Sequence, residues 1–412
     1  MKKENLVVPL IISMCFLPAD IPINIGSLHF YAVRILGLLS LLRIYSSPNK
    51  SAIILNVIDK LFISYNLLGA LIYIIASQDT NRAFIYTSGT LVDSIALYIA
   101  LRYSIRSKEN IITISKTFCY CVILLLPFIV FEYFTAQNLF AVLGRDSISF
   151  RDGAVRAAGT FSHSILFGSF AAAVVPVLWG SYKYRNNRTI LLAIACCVFF
   201  VISSSSSGPI VALAASISFL IFFRWRQYSS RFAWSLLLVA IFIHFIREMP
   251  LWHFLYVRIS IHGGSTGYHR YLLVEAAIKE FWNWWILGYG DIGPKWHEMY
   301  WPRNHAKFTD VTNQYLLVGV RGGFFTMLLF INLCFKSIKI LGTHAISQPD
   351  QKTQWLWWGF CVMMITHCVT FLSVGYFGQI TMLLNLTIAT AAFALDDSKK
   401  HNSVESNLRY IK

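Results

Sequence analysis

The chain has 412 residues, of which 56% are hydrophobic and 16% aromatic, while only 13% are charged. A soluble domain carries about twice that charged fraction, so a soluble globular fold is excluded. The formal net charge of +16 sits mostly in short segments between apolar runs, which favours membrane topology and contact with anionic lipid over nucleic-acid binding.

Apolar runs of transmembrane length recur along the chain. They predict an all-α polytopic membrane protein, because a helix that crosses the hydrocarbon core needs about 20 apolar residues. The runs are continuous rather than alternating, which argues against a transmembrane β-barrel. We predict twelve spans, at residues 5–18, 27–44, 60–77, 83–103, 111–134, 164–182, 188–203, 208–223, 231–247, 313–335, 354–372 and 377–395.

The spans divide the chain into four parts. Residues 1–247 contain the first nine spans, 248–312 form one long loop, 313–395 contain the last three spans, and 396–412 form a tail. The short loops rich in Lys and Arg are predicted to be cytoplasmic together with both termini, so the long loop lies on the outer face. A loop several times longer than an ordinary connection indicates the working part of the protein.

Within the long loop, residues 270–287 predict an amphipathic helix. Its apolar side chains recur at steps of three and four residues, at Val274, Ile278, Phe281 and Trp285. We expect this helix to lie on the outer membrane surface over the bundle. A solvated helix is the alternative, because amphipathicity alone does not identify the partner.

Six arginines lie on the predicted outer face, where Lys and Arg are normally scarce. They are Arg145, Arg151, Arg156, Arg258, Arg270 and Arg303. The guanidinium group is a planar fork of donors that suits phosphate. We therefore predict an anionic ligand at the outer face.

Two of these arginines stand in segments that lead into helices. Arg156 precedes Gly159, which permits close backbone approach, and His163, which could orient a hydroxyl, accept its proton, or be a satisfied interfacial histidine. Arg270 follows a Gly/Ser-rich stretch at residues 263–267, and such an approach to a helix offers backbone N–H groups to an anion. A flexible loop with a solvated arginine is the alternative for the second segment.

A third polar segment opens the tenth span. Asp310, Thr312, Asn313 and Gln314 are polar at the membrane surface, where sugar hydroxyls could meet them. Arg321 lies inside the span, where an unpaired charge is costly. An ion pair with Asp93 and a ligand role are both open for Arg321.

Several chemistries have no motif in the chain. It lacks a phosphate-binding P-loop, a nucleophile elbow, the His-Glu-x-x-His zinc motif and a dinucleotide-binding fingerprint. Paired acids that could hold a divalent metal are also missing from the outer segments. We therefore predict no metal and no cofactor.

These segments resemble the O-antigen ligase and Wzy-type polysaccharide polymerase superfamily of bacterial inner membranes. The resemblance rests on three places: the arginine-then-Gly-Thr-Phe segment at 156–163, the arginine helix from 265 ending in Gly288-Tyr289-Gly290, and Thr312 to Leu316 with Gly323. It covers roughly residues 151–330. It implies a multi-pass protein of the inner membrane that transfers an undecaprenyl-diphosphate-linked glycan to a sugar hydroxyl.

The resemblance also implies roles for individual residues. The diphosphate would be bound by Arg156 and Arg270, supported by Arg258 and Arg303. The glycan acceptor would meet Thr312, Asn313, Gln314 and Tyr315. The ligases begin their last motif with a histidine considered to be the base, whereas this chain has Thr312 there, so His305, His163 or Asp310 would assist the acceptor.

The departure at Thr312 favours a polymerase of repeat units of O-antigen, capsule or exopolysaccharide. A ligase that transfers the glycan to lipid A core is the alternative, and a transporter or flippase of lipid-linked glycan is a weaker one. The implied partners are the polyprenyl-diphosphate-linked glycan and membrane lipid, with a chain-length regulator left open and nucleic acid excluded.

Overall fold

The computed structural model confirms the predicted all-α polytopic membrane fold. It describes residues 6–18, 22–25, 28–46, 54–145, 148–246, 250–253, 256, 266–300 and 308–410. Within these ranges, the β-structure consists of two short antiparallel hairpins.

The elements before the long loop form nine predicted spans and two hairpins. In chain order they are α1 (Val7–Phe16), β1 (Pro22–Ile25), β2 (Leu28–Tyr31), α2 (Ala32–Tyr45), α3 (Val57–Ala76), α4 (Thr80–Leu91), a π-helical turn (Val92–Ala96), α5 (Leu97–Ser104), α6 (Lys108–Thr135), a 3-10 turn (Leu139–Leu143), β3 (Ser149–Arg151), β4 (Ala154–Arg156), α7 (Ser164–Arg185), α8 (Arg188–Ser203), α9 (Ser207–Ile221), a second 3-10 turn (Phe222–Tyr228) and α10 (Ser229–Ile246).

The described part of the long loop contains four helices, and three long helices follow it. They are α11 (Leu251–His253), α12 (Thr266–Lys279), α13 (Phe281–Trp284), α14 (His297–Tyr300), α15 (Gln314–Ser347), α16 (Gln351–Thr370) and α17 (Gln379–Tyr410).

Each of the twelve predicted spans contains helix in the described chain, but the second, 27–44, begins as strand β2 and becomes helical only at Ala32. Within the described ranges, seven helical stretches are long and apolar enough to cross a membrane: Val57–Ala76, Thr80–Ser104, Lys108–Thr135, Ser164–Arg185, Ser207–Tyr228, Gln314–Ser347 and Gln379–Lys400. Helices α1 and α8 are apolar but shorter. The number of spans therefore stays a prediction.

The bundle brings together the segments that the sequence assigns to the same side. At one end, the backbone N–H of Ala157 donates to the carbonyl of Ser203 (3.0 Å), and both belong to predicted outer segments. At the other end, Lys108 Nζ donates to Thr353 Oγ1 (2.7 Å), and both lie beside predicted cytoplasmic loops. The fold thus agrees with the prediction that successive loops lie on alternate sides of the membrane. The assignment of one end to the cytoplasm is a prediction from the distribution of Lys and Arg.

Helix α7 is the central helix of the bundle, and its most apolar 18-residue window is 89% buried. It packs against α16 through glycines, since a Cβ on Gly180 would collide with the α16 backbone and a Cβ on Gly359 with the α7 backbone. Small residues allow such close approach between helices in a membrane. Because α7 begins at Ser164, this buried helix fixes the end of the 151–163 segment.

The amphipathic helix predicted at 270–287 is divided in two, and its buried face is not the predicted one. Helix α12 ends at Lys279, and Glu280 leaves regular helical geometry before α13 begins. The buried side chains of α12 are Leu272, Leu273, Ala276 and Ala277. Of the predicted face, Val274, Phe281 and Trp285 are partly buried and Ile278 is 53% exposed. The predicted face was defined by large apolar residues and left out the alanines, which belong to a buried cluster together with residues of α15.

Asp93 pairs with Arg34 rather than with Arg321. Arg34 Nε lies 2.7 Å from Asp93 Oδ1, and Arg34 Nη2 lies 2.8 Å from Oδ2. Gly89 on α4 makes room for this arginine, since a Cβ there would lie 2.8 Å from its guanidinium. The expectation of a pair between Asp93 and Arg321 is therefore wrong, and Arg321 is exposed.

Helices α15 and α17 extend beyond their predicted ends at 335 and 395, to Ser347 and Tyr410. These extensions are polar, so hydropathy does not detect them, although polar residues continue a helix readily.

A buried ionic cluster ties the α17 extension to α3 and α5. The Arg102 guanidinium contacts Asp396, and its Nε lies 3.1 Å from Asp59 Oδ1. Tyr98 donates to the same carboxylate (2.6 Å). A buried carboxylate needs such partners, because an unpaired buried charge is costly.

Candidate functional site

Arg151 and Arg156 lie on one face of the β3–β4 hairpin. The register pairs Ser149 with Arg156 and Arg151 with Ala154, and residues two apart on a strand share a face. The turn residues Asp152 and Gly153 both have positive φ (50° and 78°), which suits the two-residue hairpin turn that Asp-Gly favours. A local sequence signal therefore brings two cations to the same side.

Arg156 is buried against the turn between α8 and α9, residues 203–206, which we call the serine turn. Arg156 Nη2 donates to Ser206 Oγ (2.8 Å), and Ser206 Oγ donates to the carbonyl of Ser204 (2.8 Å). Ser205 Oγ donates to the carbonyl of Val155 (3.2 Å) and holds β4 on the same turn. These serines were not among the predicted site residues.

Glu132 of α6 positions the segment after Arg156. Its carboxylate accepts the backbone N–H groups of Ala158 (3.0 Å) and Gly159 (2.8 Å) and is almost fully buried. Gly159 has φ +58°, and a Cβ there would lie 2.9 Å from the side chain of Ile129 on α6. Glu132 was not among the predicted site residues, although an acid inside a predicted span is itself a functional signal.

Arg145 is used to hold backbone. Its Nε donates to the carbonyl of Phe161 (2.8 Å), and its Nη2 donates to the carbonyl of Ser162 (2.9 Å). It thereby fixes the chain where it enters α7. This arginine has a structural task, unlike the others that the structure describes on this face.

His163 is the N-cap of α7, where its Nδ1 accepts the backbone N–H of Ile165 (3.1 Å). Burial lowers the pKa of His163 to about 4, and the cations of Arg156, Arg145 and Arg151 lower it further in the same direction. The ring is therefore neutral at physiological pH. Because Nδ1 accepts, the ring proton sits on Nε2, and the side chain offers a donor rather than a free lone pair.

Arg270 lies near the start of α12, where burial lowers its pKa. The Tyr256 hydroxyl opposes that shift, and the Arg151 guanidinium adds to it, so both lie within electrostatic range. Tyr256 OH also accepts from Asn313 Nδ2 (3.2 Å). Tyr256 thus lies within electrostatic range of Arg270 and is hydrogen-bonded to Asn313, the N-cap of α15.

Arg151, Arg156 and Arg270 together form what we call the arginine cluster. Burial lowers the pKa of Arg156 to about 10, and Arg151 lowers it as well, so Arg151 is near both other members. Among the described residues, no carboxylate forms an ion pair with the cluster, and the Nε atoms of Arg156 and Arg270 are buried without a hydrogen-bond partner. Buried cations and unmet donors are costly, so this site suits an anion.

The four residues predicted to meet the acceptor have different tasks. Asn313 caps α15 by accepting the N–H of Leu316 (3.1 Å), and Gln314 Oε1 accepts the N–H of Tyr376 (2.6 Å). Tyr315 OH donates to the carbonyl of Cys368 (3.1 Å). Thr312 Oγ1 is buried and has no hydrogen-bond partner in the part of the chain that the structure describes. Thr312 is therefore the member of this set with a hydroxyl left for a ligand.

The candidates for proton transfer are only partly described. Asp310 is exposed, and its backbone forms a hydrogen bond with His269, whose pKa is lowered mainly by burial. Arg258, Arg303 and His305 lie outside the described residues.

The Gly-x-Gly segment after α13 docks the loop onto a break in α15. Gly323 interrupts α15 with φ 78° and ψ 167°, and a Cβ on it would collide with the carbonyl of Ile286. The N–H of Phe324 donates to the carbonyl of Trp285 (2.8 Å), and Tyr289 N–H donates to Val320 (2.6 Å). The break exposes backbone groups that the loop then satisfies, which holds α12 over the end of the bundle.

The fold and this site define a polytopic membrane protein with a cationic site at the bundle end that the sequence predicts to be the outer one. Residues 191–331 match the family described as O-antigen ligase, which confirms the resemblance to the O-antigen ligase and Wzy-type polymerase superfamily. The family acts on lipid-linked glycans. No curated protein matches the chain.

The matched range contains the serine turn, Arg270 and the break at Gly323, and it begins after Arg156. The place of Arg156 in the site therefore rests on its contact with Ser206, which lies inside the range.

Proposed function

We propose that the protein is a membrane glycosyltransferase that polymerises undecaprenyl-diphosphate-linked repeat units at the outer face of the inner membrane. The observation that carries the proposal is the arginine cluster, in which the buried Arg156 and the half-buried Arg270 lack a counterion among the described residues. A lipid diphosphate is the anion that a lipid-linked glycan supplies. The family match supports the glycan class of the substrate.

In this proposal, Arg156 and Arg270 bind the diphosphate, with Arg258 and Arg303 in support. The glycosidic oxygen of the diphosphate gains negative charge as its bond to the sugar breaks, and fixed cations stabilise that charge in the transition state. Ser206 holds the Arg156 guanidinium in its orientation (2.8 Å). Since the cluster has no counterion among the described residues, binding of the diphosphate breaks no ion pair in that part of the chain.

The acceptor hydroxyl must lose its proton as it attacks the sugar. His305 and Asp310 are the proposed bases, since His163 has its Nδ1 lone pair engaged. His163 instead offers its Nε2–H to an oxygen of donor or acceptor. Thr312 Oγ1, which is buried and unpartnered among the described residues, offers a hydroxyl to the glycan together with Asn313, Gln314 and Tyr315.

The second candidate is an O-antigen ligase, which would use the same cationic site. The family match is shared by both reactions and does not separate them, whereas Thr312 at the position of the ligase histidine favours the polymerase. The two reactions differ in the acceptor, which is a second lipid-linked glycan in one case and lipid A core in the other.

Deleting the gene and separating the surface glycan on a gel distinguishes these reactions. Loss of long chains with single repeats still attached to the core supports the polymerase. Bare core together with accumulated lipid-linked polymer supports the ligase, and unchanged glycan contradicts both.

Complementing the deletion with Arg156→Ala and Arg270→Ala assigns the reaction to the arginine cluster. We expect each variant to lose about 100- to 1,000-fold in rate, as is typical when one transition-state contact is removed. Arg82→Ala is the matched control, because Arg82 is exposed in a predicted outer segment away from the cluster. Full activity of both variants at normal protein level would remove the assignment.

A further inference from the structure

A cavity of about 830 Å³ lies at the opposite end of α7 from the arginine cluster. Its walls are apolar side chains of α7, α8 and α9, including Val175, Val198, Leu213 and Leu220. Cavities of roughly 300–1,000 Å³ with apolar walls are typical of lipid and small-molecule sites. The cavity is therefore large enough for part of an apolar ligand.

Three cations line this cavity where the walls end, and the described lining residues include no carboxylate. They are Lys183, Arg224 and Arg226, and Lys183 and Arg224 are exposed. The nearest acid along α16, Asp350, caps that helix by accepting the N–H of Thr353 (2.8 Å). The rim is therefore cationic without an internal counterion among the residues described there.

Arg226 is held in place by its two terminal nitrogens, while its Nε is left without a partner among the described residues. Its Nη1 donates to the carbonyl of Phe223 (2.9 Å), its Nη2 donates to Gln354, and its guanidinium lies 4.0 Å from the Phe223 ring centroid. Its Nε is buried and has no partner in the described chain. Lys183 Nζ lies 5.0 Å from the Trp179 ring, so an aromatic surface supports the second cation.

The location of the cavity indicates which anion reaches it. This end of the bundle carries the Lys- and Arg-rich loops that predict the cytoplasmic side, and the cytoplasmic leaflet is rich in anionic lipid headgroups. An apolar cavity with a cationic rim at headgroup level matches a ligand with a hydrocarbon chain attached to a phosphate.

We propose that this cavity binds one anionic glycerophospholipid, with an acyl chain between α7, α8 and α9 and the phosphate at Lys183, Arg224 and Arg226. Free phosphate would leave the apolar walls empty, and a zwitterionic lipid would bring its own cation to the rim. The site is independent of the glycan reaction proposed above, because its residues lie at the other end of α7.

Thermal unfolding of the purified full-length protein in detergent tests the proposal, with tryptophan fluorescence as the signal. The protein is titrated with phosphatidylglycerol, with phosphatidylcholine of the same acyl chains, and with inorganic phosphate. We expect phosphatidylglycerol alone to raise the unfolding temperature in a saturable way. Equal stabilisation by phosphatidylcholine, or stabilisation by inorganic phosphate alone, would overturn the proposal.

Two variants locate the effect. Lys183→Gln combined with Arg224→Gln should raise the half-saturating concentration of phosphatidylglycerol about 25-fold, because each cation near an anionic headgroup contributes about fivefold. Arg188→Gln is the matched control, an exposed arginine at the same end that does not line the cavity.

Native mass spectrometry of the wild-type protein gives a readout that does not depend on a variant. We expect one retained phosphatidylglycerol, and its absence contradicts the site. Wild-type affinity in the double variant, or equal weakening in Arg188→Gln, also contradicts it.

Discussion

Replacing Glu132 by glutamine tests whether a buried carboxylate sets the position of Arg156. The carboxylate accepts the N–H groups of Ala158 (3.0 Å) and Gly159 (2.8 Å). Glutamine has the same size but keeps one acceptor oxygen, and it turns an NH₂ group toward the other N–H. One hydrogen bond to a charged group is lost, which is worth about 1.5–3 kcal/mol. We expect the free energy of unfolding to fall by about that amount.

The rate of glycan transfer should fall as well, because the displaced segment follows Arg156 directly. A shift of about 1 Å at a positioning group costs about 100-fold in rate, so we expect a loss of about 10- to 100-fold in Glu132→Gln. The assay measures polymer formed from a lipid-linked donor at equal amounts of purified protein. Glu109→Gln is the control, since Glu109 is exposed in the first turn of the same helix. A Glu132→Gln protein with wild-type rate and stability would refute this account of the carboxylate.

Three further predictions concern the rest of the fold. Asp59→Asn should lower the free energy of unfolding by about 3–5 kcal/mol, because it breaks a buried pair with Arg102, and an unchanged denaturant midpoint would contradict the importance of that pair. Gly323→Ala should undock the long loop, since its φ is 78° and a Cβ would collide with Ile286. The measurement is faster proteolysis within the loop, and wild-type resistance would count against the docking. In the unfolded state the pKa of His163 is its ordinary value near 6.5, whereas in the folded state it is about 4. The free energy of unfolding should therefore fall as the pH drops from 6.5 to 4. His163→Asn keeps an N-cap, so the melting temperature of this variant should depend less on pH over this window than that of the wild type. An equal pH dependence in both proteins would contradict a neutral His163 in the folded state.

The helical architecture could be predicted from the sequence because hydrophobicity is a strong and local signal. The limits of the predictions are also physical. Hydropathy detects apolar stretches only, so the predicted ends of α15 and α17 lie before the observed ends at Ser347 and Tyr410. It could not identify the partner of Asp93, which depends on how α2 packs against the π-helical turn between α4 and α5.

The site was predictable in part. Charge on the unexpected side of the membrane pointed to Arg156 and Arg270, and the structure links them electrostatically through Arg151. The contacts that prepare the site, from Glu132 and Ser206, join segments far apart in sequence. Such contacts are set by tertiary packing, which periodicity and spacing do not encode.

The most direct test of the central claim is the affinity of the purified protein for a short-chain polyprenyl diphosphate, measured by calorimetry in detergent. If Arg156 and Arg270 bind one diphosphate, each change to glutamine should weaken binding about 10- to 100-fold, as expected for a hydrogen bond to a charged group. In the double variant, the loss of binding free energy should differ from the sum of the two single losses, because both arginines contact one ligand. Arg82→Gln should bind like the wild type. Wild-type affinity in both Arg156→Gln and Arg270→Gln would contradict the claim.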